Sequence, residues 1–506
     1  MDLSFPLLIG YFTLAGAGIG ALSGLVPGIH VNTMALILVA VQPTLSPHLQ
    51  EACAACGLPG ECAPFLSASV VVSAAVVHSF MDFVPSVFLG APDESQVLSV
   101  LPGHRMLLDG RGLDAVRAAA RGSLIGSCTA ILLAMPLHWL MGEPFQMYDL
   151  LSPYIPWILI GVVVLLLMSE WRKVMVLKVE SASPTASTSL IPPRAVKGES
   201  ARLNGRVRGL PPRLITPQGE WRIRGRAPRG RWVELRGTWI TGGRWDGMGW
   251  ALLLSLLSGG LGYIVMNAQL PLHHLSGLGD SELFPLLTGL FGLPTLLLSL
   301  GSGELPPQEE LGVQEGSGPA VRGSAAGALV GWFPGITSTA GTVISSLLFR
   351  EGSGPARFIT MVSSVGTSAT VFSLVALSVL GRGRTGTMLA VKELVGNGGQ
   401  AALSSQPSYH FAILLLCVLL SSLLAYHLTM VGGRAFLRLL RRFPLERMTK
   451  GIMILVVALV GLFTGLPGLI VLVPSTLLGL VPPRVGVSRV HLTGCLILPL
   501  VVYFLV

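Results

Sequence analysis

A Pro-Gly pair preceded by glycines at every fourth position occurs twice in this chain, each time inside an apolar stretch. The first copy reads Gly20-Ala-Leu-Ser-Gly24-Leu-Val-Pro27-Gly28-Ile29-His30-Val31-Asn32-Thr33. The second reads Gly327-Ala-Leu-Val-Gly331-Trp-Phe-Pro334-Gly335-Ile336-Thr337-Ser338-Thr339. Glycines at i, i+4 and i+8 give a helix a smooth strip against which another backbone can lie. Proline removes a backbone donor and glycine admits conformations that other residues avoid, so each pair predicts a broken or re-entrant helix. In lipid the freed N–H and C=O groups must be completed by protein, water or substrate. Two such breaks at equivalent places are how many transporters build a substrate site.

Composition fixes the class. Of 506 residues, 51% are hydrophobic and 12% charged, where a soluble domain carries about 25% charged residues. Mean hydropathy is +0.70. Runs such as Tyr154 to Met168, Phe411 to Leu428 and Ile452 to Phe463 approach the roughly 20 residues that span a bilayer. The expected fold is an all-α polytopic membrane protein of the cell membrane. No basic segment precedes the first apolar run, so a cleaved signal peptide is not expected. The net charge of +9 concentrates in Arg172 to Arg244 and in Arg434 to Lys450. Basic loops remain on the cytoplasmic side, and that reading is preferred over binding to nucleic acid.

The pattern extends into a duplication. Each Pro-Gly segment is followed by an apolar segment with a similar tail, Ser86-Val-Phe-Leu-Gly90 and Ser378-Val-Leu-Gly381. The expected units are a first membrane repeat over 1–171 and 246–317, an insert over 172–245, and a second repeat over 318–506. Basic loops at matching places on one side of the membrane predict halves that point the same way. Within the insert, Glu180 to Ser200 has the Ser/Pro/Thr content of a linker. Trp221-Arg-Ile-Arg-Gly-Arg and Arg231-Trp-Val-Glu-Leu-Arg-Gly-Thr-Trp-Ile240 alternate with period two, which suggests short strands and a small β-rich soluble module. Arg interleaved with Trp can stack on nucleic acid, but a solvated cytoplasmic module is the simpler reading.

A helix that restarts after Pro-Gly aims free N–H groups and its positive dipole end at the break, where an anion is favoured. The candidate substrate site is therefore Pro27, Gly28, His30, Asn32 and Thr33 with Pro334, Gly335, Thr337, Ser338 and Thr339. Asp93 and Glu94 directly follow an apolar segment and are candidates for a coupling cation or proton, or for an interfacial cap. His78 and Asp82 lie one turn apart and could pair. Cys53, Cys56 and Cys62, with His48 upstream, fit a metal site, a loop disulfide or free thiols. Cys128, Cys417 and Cys495 read as small buried hydrophobes.

At these residues the chain resembles a family. Pro-Gly-Ile at 27–29, Pro85-Ser-Val-Phe-Leu-Gly-Ala-Pro92-Asp93 and Leu101-Pro-Gly-His104 are similar to motifs of the large membrane subunit of tripartite tricarboxylate transporters, the TctA type. The chain differs in His30-Val-Asn32 after the first pair, in Asp93-Glu94 after Pro92, and in its basic insert. The resemblance implies secondary transport of an organic anion coupled to H⁺ or Na⁺, with no other cofactor. It also implies a small membrane subunit and an extracytoplasmic binding protein as partners, and a homo-oligomer is compatible. The duplicated pattern also looks like the polyprenyl-phosphate translocases, whose phosphate headgroup suits the same helix termini. A remote enzymatic reading is an intramembrane aspartyl protease, with Asp280 in Gly277-Leu-Gly279-Asp280 and Asp149 as the pair. There is no P-loop and so no ATPase.

Overall fold

The computed structural model describes residues 4–26, 31–89, 100–171, 177–181, 220–226, 232–239, 244–268, 283–300, 306–312, 316–348, 354–404, 408–443 and 445–505. Its first helices are α1 (Ser4–Leu25), α2 (Val31–Ala55), α3 (Ala63–Met81), α4 (Phe83–Leu89), α5 (Val100–Leu108), α6 (Gly112–Met141), α7 (Met147–Leu151) and α8 (Ile155–Trp171). After the insert come α9 (Arg244–Asn267), α10 (Leu283–Leu287) and α11 (Leu293–Ser299), the last two joined by a π-helical turn. The second half holds α12 (Gly318–Trp332), α13 (Ser338–Leu348), α14 (Pro355–Leu380), α15 (Gly386–Ser404), α16 (Tyr409–Arg442), α17 (Leu445–Gly479), α18 (Val481–Val485) and α19 (Gly494–Leu505). Among the described residues, eight helical stretches are long and apolar enough to cross a membrane. The protein is a multi-pass membrane protein. In the insert, β1 (Leu177–Ser181), β2 (Glu220–Arg226) and β3 (Trp232–Trp239) pair antiparallel in the order β1-β3-β2.

Two spans are interior and the others face outward. The apolar windows ending in α4 and α14 are 94% and 89% buried, against 28–33% for those of α1, α6 and α8. A helix that is apolar all round belongs in a core, and α3 and α14 are such helices. Each is covered by a glycine helix. A Cβ added to Gly16, Gly20 or Gly24 of α1 would strike Val70, Ala74, or Met81 and His78 of α3. One added to Gly323, Gly327 or Gly331 of α12 would strike Met361, Val365 and Ser368, or Ala369 and Phe372 of α14. The contacts fall in the same order and at the same spacing. Close approach of this kind lets backbone and hydroxyl groups meet without a hydrophobic driving force. Ser73 Oγ donates to Thr13 O at 2.7 Å, and Ser364 Oγ donates to Ala320 O.

Helix direction follows from the same contacts. α3 and α16 run side by side, with Cys417 at Ser69, Ser421 at Ser73 and Thr429 at Met81. α6 and α14 also run side by side, with Gly126 at Ser364 and Gly142 at Val379. Yet α6 and α16 are antiparallel, since His138 meets Phe411 at 5.6 Å and Gly433 lies against Val116. α3 and α14 therefore point in opposite directions. The expectation of halves that point the same way is corrected. It matched the insert to the loop after α16, but the insert follows α8, one long helix later than the loop after α6.

The second Pro-Gly segment joins two arms that fold back on each other. α13 returns along α12, with Gly341 against Val330 and Ser345 Oγ donating to Arg322 O at 3.5 Å. The α12–α13 hairpin starts from the end of the molecule where α6 and α14 begin, and α1 starts from the opposite end. Arg111, Arg117, Arg357, Arg434, Arg438 and Arg442 all lie at the first of these ends. There the segment 306–312, which links the halves, is tied down. Glu309 N donates to Gly110 O at 2.8 Å and Gly112 N to Gln308 Oε1 at 2.8 Å. Glu310 pairs with Arg117 at 2.6 Å and with Arg434 at 3.1 Å.

Two further interruptions were not expected from the sequence. α15 is broken at Gly396 and α17 at Gly465, each with φ +63°.

Candidate functional site

The second break is described in full. α12 ends at Trp332, Phe333 is extended, and Gly335 takes φ +79°, a conformation that favours glycine. α13 starts at Ser338, and Thr337 caps it, its Oγ1 accepting from Ala340 N at 3.2 Å. Ser338 O accepts from Thr342 Oγ1 at 2.9 Å, and Thr339 is buried in the protein. Thr337 thus spends its acceptor on the helix end. Gly335 sits against Leu159 of α8 and Leu500 of α19.

At the first break α1 stops at Leu25 and α2 starts at Val31. Pro27, Gly28 and His30 lie outside the described residues, as do Asp93, Glu94 and Asp280, and nothing is described of the Thr33 side chain. Asn32 is placed. Its Oδ1 accepts from Thr387 N at 3.0 Å, and its side chain fills the space a Cβ on Gly386 would need. An Asn at the start of α2 therefore caps α15 in the other half.

The segment leading to that cap carries a residue that the sequence reading passed over. Arg384 donates from Nη2 to Tyr148 Oη at 3.0 Å, and its guanidinium carbon lies 5.4 Å from the centre of the Tyr148 ring. Its Nε and Nη1 are buried and have no hydrogen-bond partner among the described residues. Tyr148 is buried and lines a cavity of about 610 Å³ with Gly142, Ile155, Val379, Leu380, Arg382 and Phe504. Glu143 and Asp149 are exposed at its edge. Ile155 precedes Leu159 by one helical turn and Phe504 follows Leu500 by one turn, so two residues of the cavity wall are each one turn from a residue that touches Gly335. A signal for Arg384 was present in the sequence. Arg382-Gly-Arg384 follows the tail Ser378-Val-Leu-Gly381 as Asp93-Glu94 follow the tail that ends at Gly90.

The remaining candidates fall elsewhere. His78 Nδ1 meets Ser23 Oγ at 3.0 Å and so joins α3 to α1, while Asp82 N donates to His78 O at 3.0 Å. Cys53, Cys56 and Cys62 are free thiols, and Cys53 and Cys62 are buried. Among the described residues no three His, Cys, Asp or Glu side chains gather as a metal site. Cys417 and Cys495 are buried, but Cys128 is exposed on the outward side of α6, which corrects the expectation for it.

Eight helical stretches among the described residues, each long and apolar enough to cross a membrane, define a polytopic membrane protein. The chain belongs to the tripartite tricarboxylate transporter TctA family, whose family model matches residues 11–494. It is also similar to an uncharacterized protein of Methanocaldococcus jannaschii, 32% identical over 151 residues. That match covers 30% of this chain and 34% of the relative. No solved structure matches.

Proposed function

We propose that this protein is the permease of a secondary transport system, moving an organic anion of the carboxylate class across the cytoplasmic membrane by alternating access. The observation that carries the reading is the second break, where a helix stops at buried Trp332, turns at Gly335 against Leu159 and Leu500, and restarts at Ser338, those two leucines lying one helical turn from cavity-lining Ile155 and Phe504. Irregular backbone at such depth is tolerated where it lines a path for substrate. Pro27, Gly28, His30, Asn32 and Thr33 of the first Pro-Gly segment supply the other half of the site.

The two halves are inverted repeats. The register of Gly16, Gly20 and Gly24 on α3 matches that of Gly323, Gly327 and Gly331 on α14, and the two core helices oppose each other. Rocking of one half against the other exchanges access. The end rich in arginine is cytoplasmic, which places the insert in the cytoplasm and turns the cavity outward. A binding protein delivers the anion there, and a small membrane subunit completes the system. Asp93 and Glu94 carry the coupling H⁺ or Na⁺.

The test is a thermal-shift screen of the purified chain against citrate, succinate and a polyprenyl phosphate. Stabilisation by a carboxylate supports the reading. A shift with the lipid phosphate alone replaces it with lipid translocation, and no shift with either carboxylate rejects it.

A further inference from the structure

We infer that Arg384 is the cation that binds the substrate's carboxylate, and that Tyr148 positions it. The inference rests on the transport reading and names the group that recognises the anion.

Three observations carry it. The first is an incomplete hydrogen-bond set. A guanidinium has five N–H donors and no acceptor, and stays charged in proteins. Arg384 uses Nη2 on Tyr148, while Nε and Nη1 are buried without partners among the described residues. Burying charged donors unpaired is costly, and a carboxylate is the group that completes them best.

The second is rigidity. The Tyr148 hydroxyl accepts from Nη2 and the same ring lies beside the guanidinium, and Tyr148 is buried at the wall of the cavity. A cation held before the ligand arrives loses little side-chain entropy on binding.

The third is location. Arg384 lies two residues before Gly386, against which Asn32 of α2 packs. Its partner Tyr148 borders the cavity that approaches Gly335 of the second hairpin. The charged side chains that line the cavity, Arg382, Glu143 and Asp149, are exposed, and Arg384 meets it only through Tyr148. They contact water, whereas the unpartnered nitrogens of Arg384 do not. A cavity of about 610 Å³ falls within the range of small-ligand sites, and the second and third carboxylates of a polyacid can reach Arg382.

The experiment measures citrate affinity by calorimetry on the purified full-length protein and on Arg384→Gln, Arg384→Lys and Tyr148→Phe. Arg384→Gln is expected to weaken binding roughly 10- to 100-fold. Arg384→Lys keeps the charge but loses the planar donors, and should weaken it several-fold. Tyr148→Phe should weaken it less than Arg384→Gln. Unchanged affinity in Arg384→Gln, even with a lowered melting temperature, makes Arg384 a structural residue and overturns the inference. If Arg384→Gln does not elute as a single species, unchanged affinity in Arg384→Lys overturns it instead. A wild-type protein that binds no carboxylate rejects the transport reading itself, which separates the two failures.

Discussion

Gly331 lies so close to Phe372 that a Cβ added to the glycine would stand 2.5 Å from the Phe372 Cβ. Helices α12 and α14 can meet at this distance only because position 331 has no side chain. Gly331→Ala must push them apart or twist Phe372 out of its place in a filled core. Overpacking of this kind costs about 1–3 kcal/mol. The substitution should lower the detergent melting temperature, measured by intrinsic fluorescence. Gly260→Ala is the control, because a Cβ there meets nothing within 4 Å, and it should leave the melting temperature unchanged or raise it slightly.

Gly335 combines a left-handed backbone with a crowded surface. Its φ is +79°, and an added Cβ would stand 2.7 Å from Leu500 and 3.3 Å from Leu159. Gly335→Val forces a β-branched residue into a conformation that costs such residues about 1–3 kcal/mol. The turn between α12 and α13 would shift, and the proposed site with it. Uptake of labelled carboxylate into cells should be abolished while membrane insertion, judged by immunoblot of the membrane fraction, persists. Uptake at the wild-type level would remove Gly335 from the site.

These two glycines show what a sequence can and cannot reveal. The membrane class is readable because burial in lipid demands long apolar runs, and eight of them are present among the described residues. The end of α12 follows from Pro334 and Gly335 themselves, since their effect on the backbone is local. The relative direction of α3 and α14 depends on how often the chain crosses between them, and segment boundaries uncertain by a few residues cannot fix that number. Arg384 was missed for a different reason. Its meaning lies in a partner, Tyr148, far away in the chain, and in two nitrogens left without one among the described residues. The breaks at Gly396 and Gly465 went unseen because neither belongs to the duplicated pattern.

Glu310 gives a pH signature outside the membrane. The hydrogen bond from Arg434, with the charges of Arg434 and Arg117, holds its carboxyl below the ordinary carboxylate range. A folded-state value below the unfolded one means stability that is present above the unfolded value, about 4.3, and lost as pH falls through the folded value. Because the pair is partly exposed, the effect is small and weakened by salt. The wild type should therefore be more stable than Glu310→Gln at pH 7, and the two melting temperatures should converge as the pH drops below about 4. A constant gap across that window would show that the ion pair is not its source.

Cys56 reports the orientation of the whole molecule. It is an exposed thiol in the short connection between α2 and α3. Phe65, near the start of α3, stacks on His410 at 4.2 Å, at the start of α16. The other end of α16 carries Arg434, Arg438 and Arg442. Cys56 and the basic cluster therefore lie at opposite ends of the protein. Of the other cysteines, Cys128 is exposed but within a span, and the remaining four are buried. With the basic end in the cytoplasm, an impermeant maleimide added to intact cells should label the protein, and Cys56→Ser should remove that labelling. Labelling of Cys56 only after the membrane is opened would invert the orientation. It would also turn the cavity beside Tyr148 and Arg382 to the inside, where no extracytoplasmic binding protein could reach it.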